Sequence, residues 1–392
     1  MENTSFSNLT SEEANNTKNC EKTISVFFQD GRQQFISQEA YDTFFLVTII
    51  INEGMSVLGV ATNIINIIVF VKLGLRESTS ISLLSLAVSD LLLTLLALWS
   101  NILYIPQFSS FNTPLRADEM FFVTGGVARM FVSRTGALIT TYIALERCLC
   151  VIAPLKVKAI VTRRRTCTAM VTIFIITIGP SLFLYNNYHI AYYYYPDVNR
   201  TLLGASYIDT EVNYILDRVV TAVCGTAFLI FSFATTSVCT IYLVIYLQRS
   251  TKWRLTHSKT HDKTNEALSN NNDTNVTVAT VKDRRKKEVE SKKKSLTSTQ
   301  RTSKDDRVVR TVVVITMLFI VCFFPGCVAF ALYVALPGFT LYGRYGQLFV
   351  LVYTVCFIIE PINSCFNLFI YYSMGTHFRT MLHQVFRLKM PK

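Results

Sequence analysis

Long apolar runs separated by short polar connectors dominate the pattern along this chain. A helix that crosses a bilayer needs about 20 predominantly apolar residues. Seven stretches qualify: 43–71, 78–107, 120–154, 166–195, 219–248, 311–343 and 345–372. The first holds one charge, Glu53, and the second one, Asp90. The third carries Arg129, Arg134, Glu146 and Arg147, the seventh only Glu360, and the other three none. Within the sixth, Pro337-Gly338 predicts that the helix has already ended. All seven are longer than ordinary core helices, so a soluble helical bundle does not fit, and the predicted fold is an all-α bundle of seven transmembrane helices.

Composition agrees. Hydrophobic residues make up 51% of the 392 and charged residues only 16%, against roughly 25% charged in soluble domains. A charge at mid-bilayer costs roughly 2.5–3.5 kcal/mol even on the lenient insertion scale, which explains the shortfall. The net charge of +12 lies mainly in loops beside the apolar runs. That is the distribution of cytoplasmic loops, not of a nucleic-acid-binding surface. Nine of the ten cysteines lie in or beside apolar runs; only Cys20 is in a clearly polar segment. They behave as small hydrophobes and not as a disulfide framework.

Orientation follows from the ends. Residues 1–42 carry glycosylation sequons at Asn3, Asn8 and Asn15, and the connector after span four carries another at Asn199. In a seven-span count these lie on one side. The opposite connectors, 72–77, 156–165, 249–310 and the tail, are rich in Lys and Arg and are expected in the cytosol. The chain is thus expected in the plasma membrane, as an extracellular glycosylated segment 1–42, a seven-span domain 43–373 and a cytoplasmic tail 374–392. No apolar signal peptide precedes span one, which would itself direct insertion. The long connector, with its polar run and Lys/Arg clusters over 249–306, is expected to be disordered, and its sequons at Asn272 and Asn275 unused. Its basic runs are either ordinary solvated charge or a dock for anionic lipid. In the tail, Phe378, Leu382, Val385 and Phe386 recur at helical spacing, which predicts an amphipathic helix on the inner membrane surface.

Ionisable groups inside spans carry the candidate chemistry. Asp90 must face the interior, with Asn63 on span one and Asn363, Ser364 and Asn367 on span seven as polar partners. The cluster is either structural or a small-cation site or protonation switch. Arg147, next to Glu146 at the cytoplasmic end of span three, could be held by an acid on another helix, Asp305 or Asp306, and then released. It could equally snorkel to the interface. Arg129 and Arg134 lie deeper in the outer half of span three, with Glu360 at similar depth in span seven. Five residues apart, the two arginines point about 140° away from each other, so one pocket is not expected to use both fully. They form either a buried ion pair with Glu360 or an anion-binding group. No zinc-spaced Cys/His cluster, P-loop or nucleophile elbow occurs, and nothing suggests an enzyme.

Five short motifs, each on its own span, now point to a family. Gly59-Val-Ala-Thr-Asn63, Leu86-Ala-Val-Ser-Asp90, Glu146-Arg147-Cys148, Cys322-Phe-Phe-Pro325 and Asn367-Leu-Phe-Ile-Tyr371 occur in order. Over about 330 residues the chain resembles the rhodopsin-like G-protein-coupled receptors. The wording around these motifs also resembles invertebrate, especially molluscan, peptide-receptor-like and chemosensory-like receptors. The resemblance implies a receptor that binds an extracellular peptide or small molecule and activates a heterotrimeric G protein. It implies that Arg147 contacts the G protein, with Glu146 and Asp305 as restraining acids. Phe319, Phe323 and Pro325 would form the hinge by which the sixth helix swings outward, and Tyr371 and Tyr242 would support that state. Asp90, Asn363 and Asn367 would form a sodium pocket, but Gly136 stands where the family has serine, which puts sodium in doubt. No other cofactor is implied. Leu368 replaces the proline of the seventh-span motif, and Met170 stands at the usual tryptophan of span four. The family's outer disulfide cannot form: Phe122 occupies one position and no Cys lies between Cys167 and Cys224. The second outer loop, with Tyr192–Tyr195, must be held otherwise. Arg129 stands at the position of the amine-binding aspartate, and no Lys lies between Lys304 and Lys389. An amine receptor and a retinal-binding opsin are thereby disfavoured and excluded, respectively. The competing class is a seven-span transporter or channel, which would need paired broken helices that the spans do not display.

Overall fold

The computed structural model describes residues 36–104, 113–196, 198–208, 210–269, 308–333, 335–339, 343–374 and 376–387. The expectations that fall on Asn3, Asn8, Asn15, Asp305 and Asp306 lie outside these residues. Among these residues seven helices are long and apolar enough to cross a membrane. They are α1 (Gln38–Leu73), α2 (Ser78–Tyr104), α3 (Ala128–Ile152), α4 (Arg163–Tyr185), α5 (Phe228–Ser269), α6 (Val308–Tyr333) and α7 (Gly346–Met374). A short α8 (Thr376–Val385) comes after them. Both α3 and α5 are entered through a π-helical turn, Phe121–Val127 and Thr221–Ala227.

Local chemistry sets the ends. The Ser37 hydroxyl caps α1 by accepting from the Ala40 N–H, and Gly74, with φ of 86°, closes it with a bond to the Val71 carbonyl. Helical structure is present as far as Ala335, just before Pro337 and Gly338 as the sequence predicts, and Gly338 takes a φ of 85°.

Two expected boundaries are corrected. α4 stops at Tyr185, ten residues short of the apolar run's end at Tyr195. The rest of that run belongs to an antiparallel hairpin, β1 (Tyr188–Tyr195) on β2 (Arg200–Tyr207), in register from Tyr188 opposite Tyr207 to Tyr195 opposite Arg200. The tyrosine-rich run favours a strand, and Ile190, Tyr192 and Tyr194 form its exposed face, the period of two that a strand requires. α5, conversely, runs past Arg249 to Ser269, into the connector expected to be disordered. Once a helix is nucleated in the membrane, each further residue adds a hydrogen bond.

The bundle is polar within and apolar without. Ser56, Asn63, Asn66, Ser82, Thr94, Thr135 and Ser364 are fully or almost fully buried, whereas Ile50, Val57, Ile64, Val171, Ile175, Leu182, Phe231, Val238 and Val321 are exposed. In hydrocarbon the outward face has no reason to be polar, and close packing and hydrogen bonds join the helices instead. Thr135 pairs with Thr177 of α4 at 2.7 Å, and Thr141 with Thr236 of α5 at 3.0 Å. α1 approaches α2 so closely at Gly59 that a Cβ there would overlap the Thr94 methyl and lie 3.3 Å from the Cys365 sulfur on α7. Met170, in place of the expected tryptophan, is buried against α3 with Ile139 and Ile143 in the same cluster. At the C-terminal end of α7 Phe378 of α8 meets Phe70 of α1 and Tyr371 of α7 at ring distances of 5.3 and 5.5 Å, so α8 docks on the bundle.

Candidate functional site

Three polar clusters are arranged along α3. Arg129 and Arg147 are 18 positions apart, about 27 Å of helix.

The first cluster is at Glu360. Arg129 lies 3.3 Å from Glu360 Oε2 through its Nε, donates to the Phe357 carbonyl, and stacks 4.8 Å above the Phe357 ring. One turn on, Ser133 donates to Glu360 Oε1 at 2.7 Å. Arg134 also reaches this carboxylate, its Nη1 4.0 Å from Oε1 and 3.3 Å from the Ser133 hydroxyl. Both arginines thus reach one carboxylate, Arg134 more loosely than Arg129: the helical angle places their Cα atoms apart, but the arms are long enough to converge. Arg134 Nε donates to the Gly225 carbonyl at 2.7 Å, within the π-helical turn that leads into α5. Side-chain exposure is 3% for Arg129, 14% for Arg134 and 13% for Glu360. Two guanidiniums thus share one carboxylate in a buried place, which leaves one positive charge unbalanced. A buried charge without a full partner is costly, and such a site attracts an anion.

The second cluster centres on Asp90. Asn367 Nδ2 donates to Asp90 Oδ2 at 2.7 Å, and the Ser364 hydroxyl to the Asp90 carbonyl at 3.4 Å. Asn63 donates to the Ser364 hydroxyl at 2.9 Å, and Asn66 to Asn63 at 3.3 Å. Asn363, grouped with these in the sequence, is half-buried and makes none of these bonds. The set does not fit a sodium ion. Asn367 presents N–H to the carboxylate where a cation needs lone pairs. Gly136 offers no side-chain oxygen, although its Cα faces Asp90: a Cβ there would lie 3.7 Å from Oδ1.

The third cluster is at the C-terminal end of α3. Arg147 pairs with its neighbour Glu146 and donates to Thr79 at 2.6 Å. Ser78 donates to Glu146 Oε1 at 2.7 Å and Ser82 to Oε2 at 3.3 Å. The first turn of α2 therefore holds both charges. Ser78, Thr79 and Ser82 are not among the residues the motifs single out, although four hydroxyls within five residues at a span's start are a visible signal. Arg147 Nε and Tyr371 Oη are buried and have no hydrogen-bond partner among the described residues. Tyr242 is 42% exposed and is not brought to Arg147. Phe319 and Phe323 are buried on α6 and stacked at 4.4 Å, both within two turns of Pro325.

No curated protein matches the chain. The family described as 7 transmembrane receptor (rhodopsin family) matches residues 62–371, which takes in all three clusters and most of the five motifs. It is a receptor family and not an enzymatic one. Over most of its length, then, with its seven spanning helices and its acid–arginine pair at the foot of α3, this chain belongs to the rhodopsin family of seven-transmembrane receptors.

Proposed function

We propose that the protein is a plasma-membrane receptor, its N-terminus outside and glycosylated, whose ligand bears an anionic group that docks on Arg129, Arg134 and Glu360. The ligand is a peptide or a small chemosensory molecule. The observation that carries this reading is the sharing of one carboxylate by two buried guanidiniums. Arg134 is the more loosely held at 4.0 Å from Glu360, against 3.3 Å for Arg129, so a ligand carboxylate competes with Glu360 for Arg134.

Only a ligand with different affinities for two states shifts their balance. Arg134 is bonded to the π-turn of α5, and π-turns frequently mark functional sites. Drawing Arg134 toward a ligand shifts α5 against α3 and α6. α6 then swings outward about Phe319, Phe323 and Pro325. Arg147 leaves Thr79 and Glu146, with Asp305 as a further restraint, and meets a heterotrimeric G protein. Tyr371 turns inward with Tyr242, and its hydroxyl gains the partner it lacks at present. Asp90, Asn63, Asn363 and Asn367 act as the polar pivot between, with no step through sodium.

A panel of organic acids and a peptide library, read out by G-protein signalling in a heterologous cell, tests this. Arg134→Gln is the informative variant, because it leaves Arg129 and Glu360 balanced one to one. At equal surface expression it should weaken the response to an acidic agonist by about ten- to a hundredfold, the worth of a charge-assisted hydrogen bond. An agonist without an anionic group, or a response unaltered in Arg134→Gln, would refute the assignment.

A further inference from the structure

We infer that Glu119 is the positioning residue of the hairpin between α4 and α5, and that it fixes the hairpin to the start of α3 through a non-covalent clamp. The inference does not depend on which ligand binds.

A two-stranded hairpin alone is marginally stable, and the free edge of β2 would be open to wrong pairing. Here the segment before α3 covers that edge. Leu203 N–H donates to the Pro114 carbonyl at 2.6 Å and the Arg116 N–H to the Leu203 carbonyl at 2.9 Å, so Leu115 pairs with Leu203 as a short parallel bridge. Three residues beyond Arg116, one oxygen of Glu119, Oε2, accepts two bonds from the hairpin. The Tyr195 hydroxyl of β1 donates at 2.6 Å and the Ala205 N–H of β2 at 2.9 Å. The Arg116 guanidinium lies 4.8 Å from the centre of the same Tyr195 ring. Glu119 therefore grips both strands, and Arg116 holds the face of the tyrosine whose tip Glu119 binds.

Gly204 makes the grip possible. A Cβ there would overlap both the Tyr195 hydroxyl and Glu119 Oε2. A side chain there would have to displace the phenol tip or the carboxylate from its present place. A covalent tie is excluded by the sequence, since no cysteine lies in 21–147 or 168–223. Hydrogen bonds to a charged acceptor are worth more than neutral ones, and two of them on one oxygen make the hairpin's position depend on an acceptor at residue 119. It should be indifferent to reducing agents.

Hydrogen–deuterium exchange of β2 in the full-length protein, held in lipid nanodiscs, tests this. Glu119→Ala should speed exchange at Ala205 by about tenfold or more, and Gly204→Ala should do the same. Glu119→Gln keeps a carbonyl acceptor and should restore most of the protection, which a role limited to charge would not do. Tyr195→Phe removes one of the two bonds but keeps the ring over Arg116, and should speed exchange by about fivefold. This variant decides the question should alanine at 119 prevent folding. Dithiothreitol should change none of these rates, and the amides of α3 should stay protected throughout. Unaltered exchange at Ala205 in Glu119→Ala or Tyr195→Phe, or release of the wild-type hairpin by dithiothreitol, would overturn the inference.

Discussion

Gly136 shows how one missing side chain changes what a polar cluster can do. Asp90 has its Oδ2 bonded by Asn367, while the space toward Oδ1 is where a residue-136 side chain would point. Gly136→Ser would place its Cβ 3.4 Å from the Ser89 hydroxyl and 3.7 Å from Asp90 Oδ1, tight but tolerable. Its hydroxyl would add the oxygen donor that a hard cation requires. The wild-type protein is accordingly expected to melt at the same temperature in sodium and in choline chloride. The serine variant should gain a sodium-dependent rise, read by a thiol-reactive fluorescent melt. A sodium-dependent shift in the wild type would show that the present donors suffice. At this scale the sequence shows which residues are charged but not whom they meet. Glu360 was legible as a partner of Arg129. Its sharing with Arg134 was not, because helical angle locates a Cα and says little about the tip of a long side chain. The carbonyl of Gly225 was hidden for a different reason, since only a π-turn aims it at Arg134.

At the scale of elements, length and hydropathy located the helices, because hydrocarbon demands continuous intrahelical bonding and nothing else. They misplaced α4, whose apolar run continues into the hairpin. A run of tyrosines is apolar enough for a membrane helix and equally suited to a strand; what distinguishes them is the turn at Asn186–Asn187, where α4 gives way, and the pairing partner β2, remote from local pattern. Helix contacts rest on small residues. Gly59 lets α1 lie against Thr94 of α2 and Cys365 of α7, and Gly59→Val would force these helices apart. Overpacking of this kind costs about 1–3 kcal/mol. Thermal unfolding of the purified variant should fall by several degrees, whereas Gly179→Val, at a position with open space around the glycine, should leave it within a degree or two. Equal losses at both positions would argue against the close α1–α2 approach.

For the whole molecule, the three clusters form a line along α3 from the Arg134–Glu360 site through Asp90 to Arg147. Each links α3, directly or through a neighbour, to helices that carry no charge of their own at that depth or only one. The inverted distribution, hydroxyls and amides within and aliphatic side chains without, makes such a line tolerable in lipid, since every buried charge turns inward. The class of molecule was legible from spans and motifs together. The hydroxyls of α2 that restrain Glu146 and Arg147 were not, since their meeting depends on how α2 and α3 pack. Occupancy of the Arg134–Glu360 site is proposed to be conveyed to Arg147 and from there to a G protein. Nucleotide exchange on a purified heterotrimer tests this most directly, with receptor in nanodiscs and an acidic agonist from the screen, comparing wild type with Arg147→Ala at equal receptor amounts. Agonist-stimulated exchange is expected in the wild type and none above background in the variant. Stimulated exchange that survives in Arg147→Ala, or an agonist response carried by ion flux with no G protein present, would contradict this expectation.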